Sequence, residues 1–225
     1  MGCAQYSTSE KLVSSILTFR LKGILTRLLG SNQKVYIPGR YIGEVTRNVY
    51  DAFWKAKKTN PVLATMVNFK NAFGSVSFYF INVTQELFGF GPVYRQGVNI
   101  LLGQGQGFKG VTIVNGHVSE QFPINRGCRQ GNHITGYLCV LCIEVLILLV
   151  QNWNVKPYQT KTGHNILNDT YADNLTIYLK YKRYDQHFNT ENTRTLLDCL
   201  KKFEKWSGLK VNEGKTQVTV FGGKY

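Results

Sequence analysis

Tyr171-Ala172-Asp173-Asn174 lies between two short apolar segments, Ile166-Leu167 and Leu175–Leu179. Short β-prone runs on either side of a polar step predict strand, tight turn, strand, with the Asp173 carboxylate presented at the tip. A candidate central strand precedes it in the chain. Pro61–Val67 is apolar and β-prone, and it runs into Asn68-Phe69-Lys70-Asn71-Ala72-Phe73-Gly74. The hairpin and this strand are where polar side chains gather at the ends of apolar runs.

Outward from these two segments the chain mixes helices and strands. Leu12, Ile16, Leu17, Leu21, Ile24, Leu25, Leu28 and Leu29 recur in steps of three and four, which predicts a helix over Lys11–Leu29. Pro38-Gly39-Arg40 is a turn, and Glu44–Ala56 reads as a second helix. A helix is expected over Val76–Phe88, a long apolar one over Tyr137–Leu149, and an amphipathic one over Thr195–Lys205. Val111–Val114 and Val118–Phe122 flank Asn115-Gly116, a strong hairpin signal. Gln217–Phe221 is a short terminal strand. No regular βαβ repeat emerges, so the fold class is α+β rather than a doubly wound sheet.

The chain has 225 residues, 43% hydrophobic and 13% aromatic, enough for a substantial core in one domain or two lobes. Its 27 Lys and Arg against 13 Asp and Glu leave a net charge of +14. A surface that basic attracts phosphate-rich partners and releases their counterions, which points to nucleic acid. The apolar run Ile134–Val150 contains Glu144 and falls short of a clean membrane span, so a buried core helix is the expectation, with no membrane partner. Five scattered cysteines give no disulfide framework, and Cys139-Val-Leu-Cys142 lies inside an apolar run, which favours buried thiols over a zinc or redox motif. The N-terminus has no secretory pattern, so an intracellular location, cytoplasmic or nuclear, is expected. Gly103-Gln104-Gly105-Gln106-Gly107 lacks the Lys-Ser/Thr of a P-loop, and the four histidines have no metal-ligand spacing.

Phosphoryl transfer onto a growing nucleic acid uses two metal ions about 3.5–4 Å apart that clamp the attacking and leaving oxygens. Hard oxygen ligands, mainly carboxylates, hold magnesium and cancel its charge. Several blocks of this chain resemble, in order, the reverse transcriptase of non-LTR (LINE-type) retrotransposons. Ile37-Pro38-Gly39-Arg40-Tyr41-Ile42-Gly43-Glu44 is similar to the family's fingers motif. Asn68-Phe69-Lys70-Asn71-Ala72-Phe73-Gly74-Ser75-Val76 resembles the first palm motif. Arg126-Gly127-Cys128-Arg129-Gln130-Gly131 begins the nucleotide-pocket motif, and Tyr171-Ala172-Asp173-Asn174 matches the metal-binding hairpin. Trp206-Ser207-Gly208-Leu209-Lys210-Val211-Asn212, with Lys215-Thr216, resembles the last palm motif.

The resemblance implies a right-hand polymerase fragment of fingers and palm, with a small antiparallel palm sheet backed by helices. Residues 1–60 are expected to form part of the fingers and 61–92 the palm with its first motif. Residues 93–125 would be a fingers return segment with a hairpin, and 126–225 the rest of the palm. The family's thumb and endonuclease are expected to be absent. The implied activity is RNA-directed DNA synthesis with magnesium or manganese. The implied partners are an RNA template, an RNA/DNA hybrid and deoxynucleoside triphosphates; no protein partner is indicated.

The family's residue roles carry over position by position. Asp173 is a metal ligand and catalytic carboxylate. Asn68 and Asn174 stand where the family has two further catalytic aspartates. Lys215 falls at a position suggesting a proton donor to pyrophosphate. Phe73, Arg129, Gln130 and Gly131 would line the nucleotide pocket, and Arg40 would meet nucleic acid. Gly74 replaces a further aspartate, and Asn132-His133-Ile134-Thr135-Gly136 departs from the family's Asp-Pro-x-Ser-Pro. One carboxylate of three remains, with Asp169, four residues upstream, as the candidate substitute ligand. An amide carbonyl brings no charge to a cation, so turnover is expected to be abolished or severely weakened. The competing expectations are a non-catalytic RNA- or hybrid-binding module and a transposon remnant without selected function.

Overall fold

The computed structural model describes residues 8–56, 60–103, 109–128, 131–159 and 165–222. In chain order it contains α1 (Thr8–Leu28), α2 (Ile42–Lys55), β1 (Val62–Val67), α3 (Ala72–Ser75), α4 (Phe78–Leu87) and α5 (Pro92–Leu102). There follow β2 (Lys109–Gly110), β3 (Ile113–Val114), β4 (His117–Val118), β5 (Phe122–Pro123) and α6 (Thr135–Asn152). Then come β6 (Tyr158–Gln159), β7 (Asn165–Ile166), β8 (Asn168–Tyr171), β9 (Asn174–Lys180), α7 (Gln186–Ser207) and β10 (Gln217–Phe221).

The central sheet is antiparallel throughout, in the order β10-β1-β9-β8. β1 is the apolar strand with partners on both edges, and Val62, Leu63, Ala64, Thr65 and Val67 are all buried. Alternation along the strands sorts its side chains. Leu63 and Val67, with Leu175, Ile177 and Leu179 of β9, join the main core against α6 and α7. Val62 and Ala64, with Tyr178, form a second, smaller core with Ala52 of α2 and Tyr158. The sheet is therefore covered by helices on one face and by α2 on the other.

α6 explains why its sequence is apolar all round. Leu138, Val140, Leu141, Cys142, Ile143, Leu146 and Ile147 are all buried, and the helix packs on α3, α4 and α7. It is the one helix among the described residues long and apolar enough to cross a membrane, yet its place is the protein core. Its Glu144 is buried too, and Oε1 accepts the Gly30 N–H at 2.9 Å. That bond ties the end of α1 to α6. α7 is amphipathic: Leu196, Cys199, Leu200, Phe203 and Ser207 form its buried stripe. The Asp185 carboxylate caps its first turn by accepting from the Phe188 N–H at 2.9 Å, and Gly208 ends it in the left-handed conformation.

Several expectations shift. The helix expected over Val76–Phe88 is α4, which starts at Phe78 because Val76 is extended and Ser77 is the N-cap; the separate short turn α3 precedes it. α7 begins well before Thr195. Ile166 belongs to β7, paired with β6, and the strand entering the turn is Asn168–Tyr171. On α1 the buried stripe is Ser14, Leu17, Thr18, Leu21 and Leu25, while Leu12 and Ile16 face outward. The Asn115-Gly116 turn forms, both residues having positive φ, +50° and +81°, but the strands it joins are short, Ile113–Val114 and His117–Val118, and Phe122 pairs with Gly110 in a separate ladder.

Two glycines clamp the short α3 turn. Gly127 has φ +87°, and a Cβ there would sit 2.6 Å from the Gly74 carbonyl oxygen. Gly208 has φ +78°, with the Ser75 carbonyl oxygen 2.8 Å from its Cβ position. Backbone cannot give way as a flexible side chain does, so Gly127→Ala should cost about 2 kcal/mol or more in chemical denaturation.

Glu144 gives a second prediction. Burial pushes its carboxyl pKa up, against the lowering effects of the Gly30 N–H and of Arg40. A carboxyl raised in the folded state holds its proton more tightly there than in the unfolded chain. Its contribution to stability is fully present at low pH and is lost as pH rises through the folded pKa. Glu144→Gln keeps an oxygen for the Gly30 N–H and removes the charge. Its Tm should exceed that of the native protein at about pH 8 and show no such gain at about pH 4.

Candidate active site

The C-terminal end of β1 and the start of β9 meet because Val67 lies opposite Leu175. The next residue outward on each strand is an asparagine. Asn68 Nδ2 donates to Asn174 Oδ1 at 3.2 Å, so the two amides are hydrogen-bonded across the sheet end. The strand ladder, not a loop, sets this geometry.

Asp173 completes the tip. Tyr171 pairs with Asn174, leaving Ala172-Asp173 as a two-residue turn. Ala172 has φ +56°, a conformation that tight β-turns demand and that a residue with a Cβ adopts at some energetic cost. Asp173 is half-buried. Below it lies a cavity of about 10 Å³, lined in part by Ala72, Phe73, Gly136, Cys139 and Ala172. This places Phe73 beside Asp173 from a segment a hundred residues away in sequence.

A strap formed by the segment before β10 closes the other side. Phe69 pairs with Val211, and the Lys70 N–H donates to the Lys210 carbonyl at 2.8 Å. The Asn212 N–H donates to the Asn68 carbonyl at 2.7 Å, and the Asn68 N–H donates to the Thr216 hydroxyl at 3.3 Å. Lys215 is exposed and adjoins Thr216 in a turn closed by its own N–H on the Asn212 carbonyl at 3.0 Å. Asn68, Asp173, Asn174, Phe73 and the Lys215 turn therefore belong to one site. Gly131, with φ +95°, precedes α6. Arg129 and Gln130 lie outside the described residues.

Two candidate residues have other partners. The Asp169 carboxylate is buried under α2, where the Asn48 amide donates to it at 2.7 Å and the Tyr178 hydroxyl lies beside it. Burial raises its pKa. It sits two residues down the ladder from the pair that closes the turn, opposite Thr176, so the structure gives it a packing role under α2 rather than a place at the tip. Arg40 donates through one guanidinium nitrogen to the Gly30 carbonyl at 2.6 Å and the Gln33 carbonyl at 2.8 Å, which organises the loop after α1. Beside it Lys34 and Glu44 form an ion pair at 2.5 Å that lowers the Glu44 pKa. The CxxC cysteines are inert by environment: Cys139 is raised first by its hydrogen bond with Cys128, and burial raises Cys142.

The donor set does not suit a pair of divalent cations. One carboxylate and two mutually bonded amides offer a single negative charge, and no group of three His, Cys, Asp or Glu side chains clusters among the described residues. The Thr216 hydroxyl, the strained Ala172 and the Asn48–Asp169 bond were not evident from the sequence. The Thr216 contact had a signal, since it lies next to Lys215 in a motif already singled out.

The chain matches the family described as Reverse transcriptase (RNA-dependent DNA polymerase) over residues 1–225, and it belongs to that family. It is 25% identical over 172 residues to the Transposon TX1 uncharacterized 149 kDa protein of Xenopus laevis, a match covering 76% of this chain and 13% of that protein. Both findings agree with the retrotransposon resemblance of the motifs. Among solved structures, telomerase from Candida tropicalis in complex with a TWJ fragment of telomeric RNA is similar, with a TM-score of 0.59 and 14% identity over 96% of this chain and 34% of that one. Telomerase from Candida albicans, also with a TWJ fragment, gives 0.54 and 14% over 92% and 34%. At that identity the likeness is one of fold, the α+β polymerase fold.

The amide pair predicts a measurable effect. Asn68→Asp/Asn174→Asp replaces an attractive contact with two like charges at the same place. Without divalent cations the double mutant should melt below the native protein by several degrees, and magnesium should restore much of the loss. The native Tm should respond little to magnesium. A double mutant insensitive to magnesium would show that the site cannot be rebuilt by charge alone.

Proposed function

We propose that this reverse transcriptase domain binds nucleic acid without catalysing nucleotidyl transfer at a useful rate. One observation carries the reading. The Asn68 and Asn174 amides bond to each other at 3.2 Å where the family has two metal-binding aspartates. An amide is close in shape to a carboxylate, so the strand ends hold their places, but the negative charge that balances two divalent cations falls to the single Asp173. Loss of supporting groups around a metal commonly costs about 10- to 100-fold in affinity or activity, and these are the ligands themselves.

On this reading the four-stranded sheet with α3, α4, α6 and α7 is the palm, and residues 1–60 and 93–125 belong to the fingers. The net charge of +14 supports RNA or RNA/DNA hybrid as partner. Phe73 and Gly131, with Arg129 and Gln130, correspond to the family's nucleotide pocket, and Lys215 corresponds to the position of a proton donor to the leaving pyrophosphate. Magnesium or manganese would be the family's ions, held weakly here. The location that suits such partners is intracellular.

Primer extension on poly-A with oligo-dT tests the catalytic half. Native protein should give no product above background, Asp173→Ala should match it, and Asn68→Asp/Asn174→Asp should gain extension if the rest of the site is intact. Extension by the native protein that disappears in Asp173→Ala would overturn the reading.

A further inference from the structure

Behind the first palm motif lies a basic trough that the site above does not use. It has a volume of about 800 Å³, and its walls include Lys70, Arg126, Lys201, Lys205 and Lys210. Glu204 and Glu213 are its acidic members, so its charge is five cations against two carboxylates. All five cations are exposed, and no ion pair to any of them is found among the described residues.

The trough does not end there. A second concavity of about 350 Å³ shares Ser75, Arg126, Lys205 and Gly208 with it and adds Tyr79 and Trp206. Tyr79 is 75% exposed and Trp206 45%. These rings are at the surface and belong to neither core. Lys202, four residues before Trp206 on α7, lies 5.0 Å from the Trp206 ring centroid and 4.7 Å from that of Trp153. The path thus has aromatic planes at one end and runs along cations to Lys70 and Lys210. Those two are tied by a backbone hydrogen bond two residues beyond Asn68.

The structure is built to keep this shape. Gly208 turns the chain from α7 into the strap at φ +78°, and the Ser75 carbonyl lies so near that any side chain would collide. The Ser77 N–H donates to the Ser207 carbonyl at 2.7 Å, which seals the floor. Lys201 and Lys205 are one helical turn apart on the same face of α7.

We propose that this trough is a binding site for single-stranded RNA, separate from the catalytic cleft, with phosphates along Lys70, Arg126, Lys201, Lys205 and Lys210 and a base stacked at Trp206 or Tyr79. Unpaired cations in a groove with flat rings at its mouth match an unpaired strand, whose phosphates follow the charge and whose bases expose their faces. A duplex hides those faces. The inference rests on the nucleic-acid-binding half of the proposed function and adds the surface.

The test is fluorescence anisotropy with a labelled single-stranded oligouridylate, a duplex of the same length and an oligoglutamate of similar charge. Three variants are compared with the native protein. Lys201→Glu/Lys205→Glu reverses charge in the trough, Trp206→Ala removes the ring, and Lys11→Glu/Lys109→Glu makes the same charge change elsewhere. The trough reversal should weaken single-strand binding by about tenfold or more and reduce the salt slope by about 1.4, two contacts at ~0.7 each. Trp206→Ala should weaken it by roughly five- to hundredfold with little effect on the slope. The remote reversal should do much less, and the circular dichroism of all three should match the native protein. Equal weakening by the remote reversal, or equal affinity of the native protein for oligoglutamate or duplex, would overturn the proposal. If native protein binds the oligouridylate and the trough variants do so unchanged, the trough is excluded while nucleic-acid binding stands. If the native protein binds neither RNA probe, both readings fall.

Discussion

The strand Val62–Val67 carries the structure because it is hydrogen-bonded on both edges and buried on both faces. A one-residue slip against either neighbour would turn Leu63 and Val67 out of the main core and bring Ala64 and Met66 in. Burial therefore locks its register, and the register alone places residue 68 beside residue 174. The site inherits its geometry from the apolar pattern of two strands. Asparagine at both positions leaves the frame standing because nothing in the ladder depends on charge there.

The same logic separates what the sequence disclosed from what it hid. Segments with a strong period or punctuation were legible: Pro61–Val67, the Asn115-Gly116 hairpin, the apolar α6 and the Asp173 turn. α5 was missed although Pro92 at its first position and Gly103 just past its end are proper boundary signals. Its interior Gly97 and polar Arg95, Gln96 and Asn99 dilute the apolar rhythm. Its buried residues, Val98, Leu101 and Leu102, crowd into the last turns. α1 shows the opposite error. Its apolar residues outnumber the places available in the core, and the stripe that packs was decided by tertiary contacts such as the Tyr94 hydroxyl on the Leu17 carbonyl.

At the site, local sequence placed Asn68, Asp173 and Asn174 through their motifs, and the motif order placed the 210–216 strap. What no linear pattern could show was which polar groups were already committed. Arg40 reads as a free cation on a turn, yet two backbone carbonyls after α1 share its guanidinium. Asp169 reads as a spare ligand near Asp173, yet Asn48, 121 residues upstream, holds it under α2. The Arg40 contacts are local and the Asp169 contact is long-range, and each engages a polar group in packing that the linear pattern leaves open.

The charge balance around the strand ends now runs in one direction. A site of three carboxylates repels a phosphate backbone unless cations stand between them. The amides at positions 68 and 174 bring no negative charge, and Lys70 lies two residues beyond Asn68 in a chain of net charge +14. At a separation of several ångströms near a surface, each removed charge is worth on the order of 1–4 kcal/mol of repulsion toward a phosphate before salt screening. On the proposed reading, the charge difference that would weaken cation binding would also make the same strand ends more welcoming to a bare phosphate, with amide N–H groups able to donate to it. On the proposed reading, weak cation binding and nucleic-acid affinity would both follow from one difference in charge, and neither requires the fold to move.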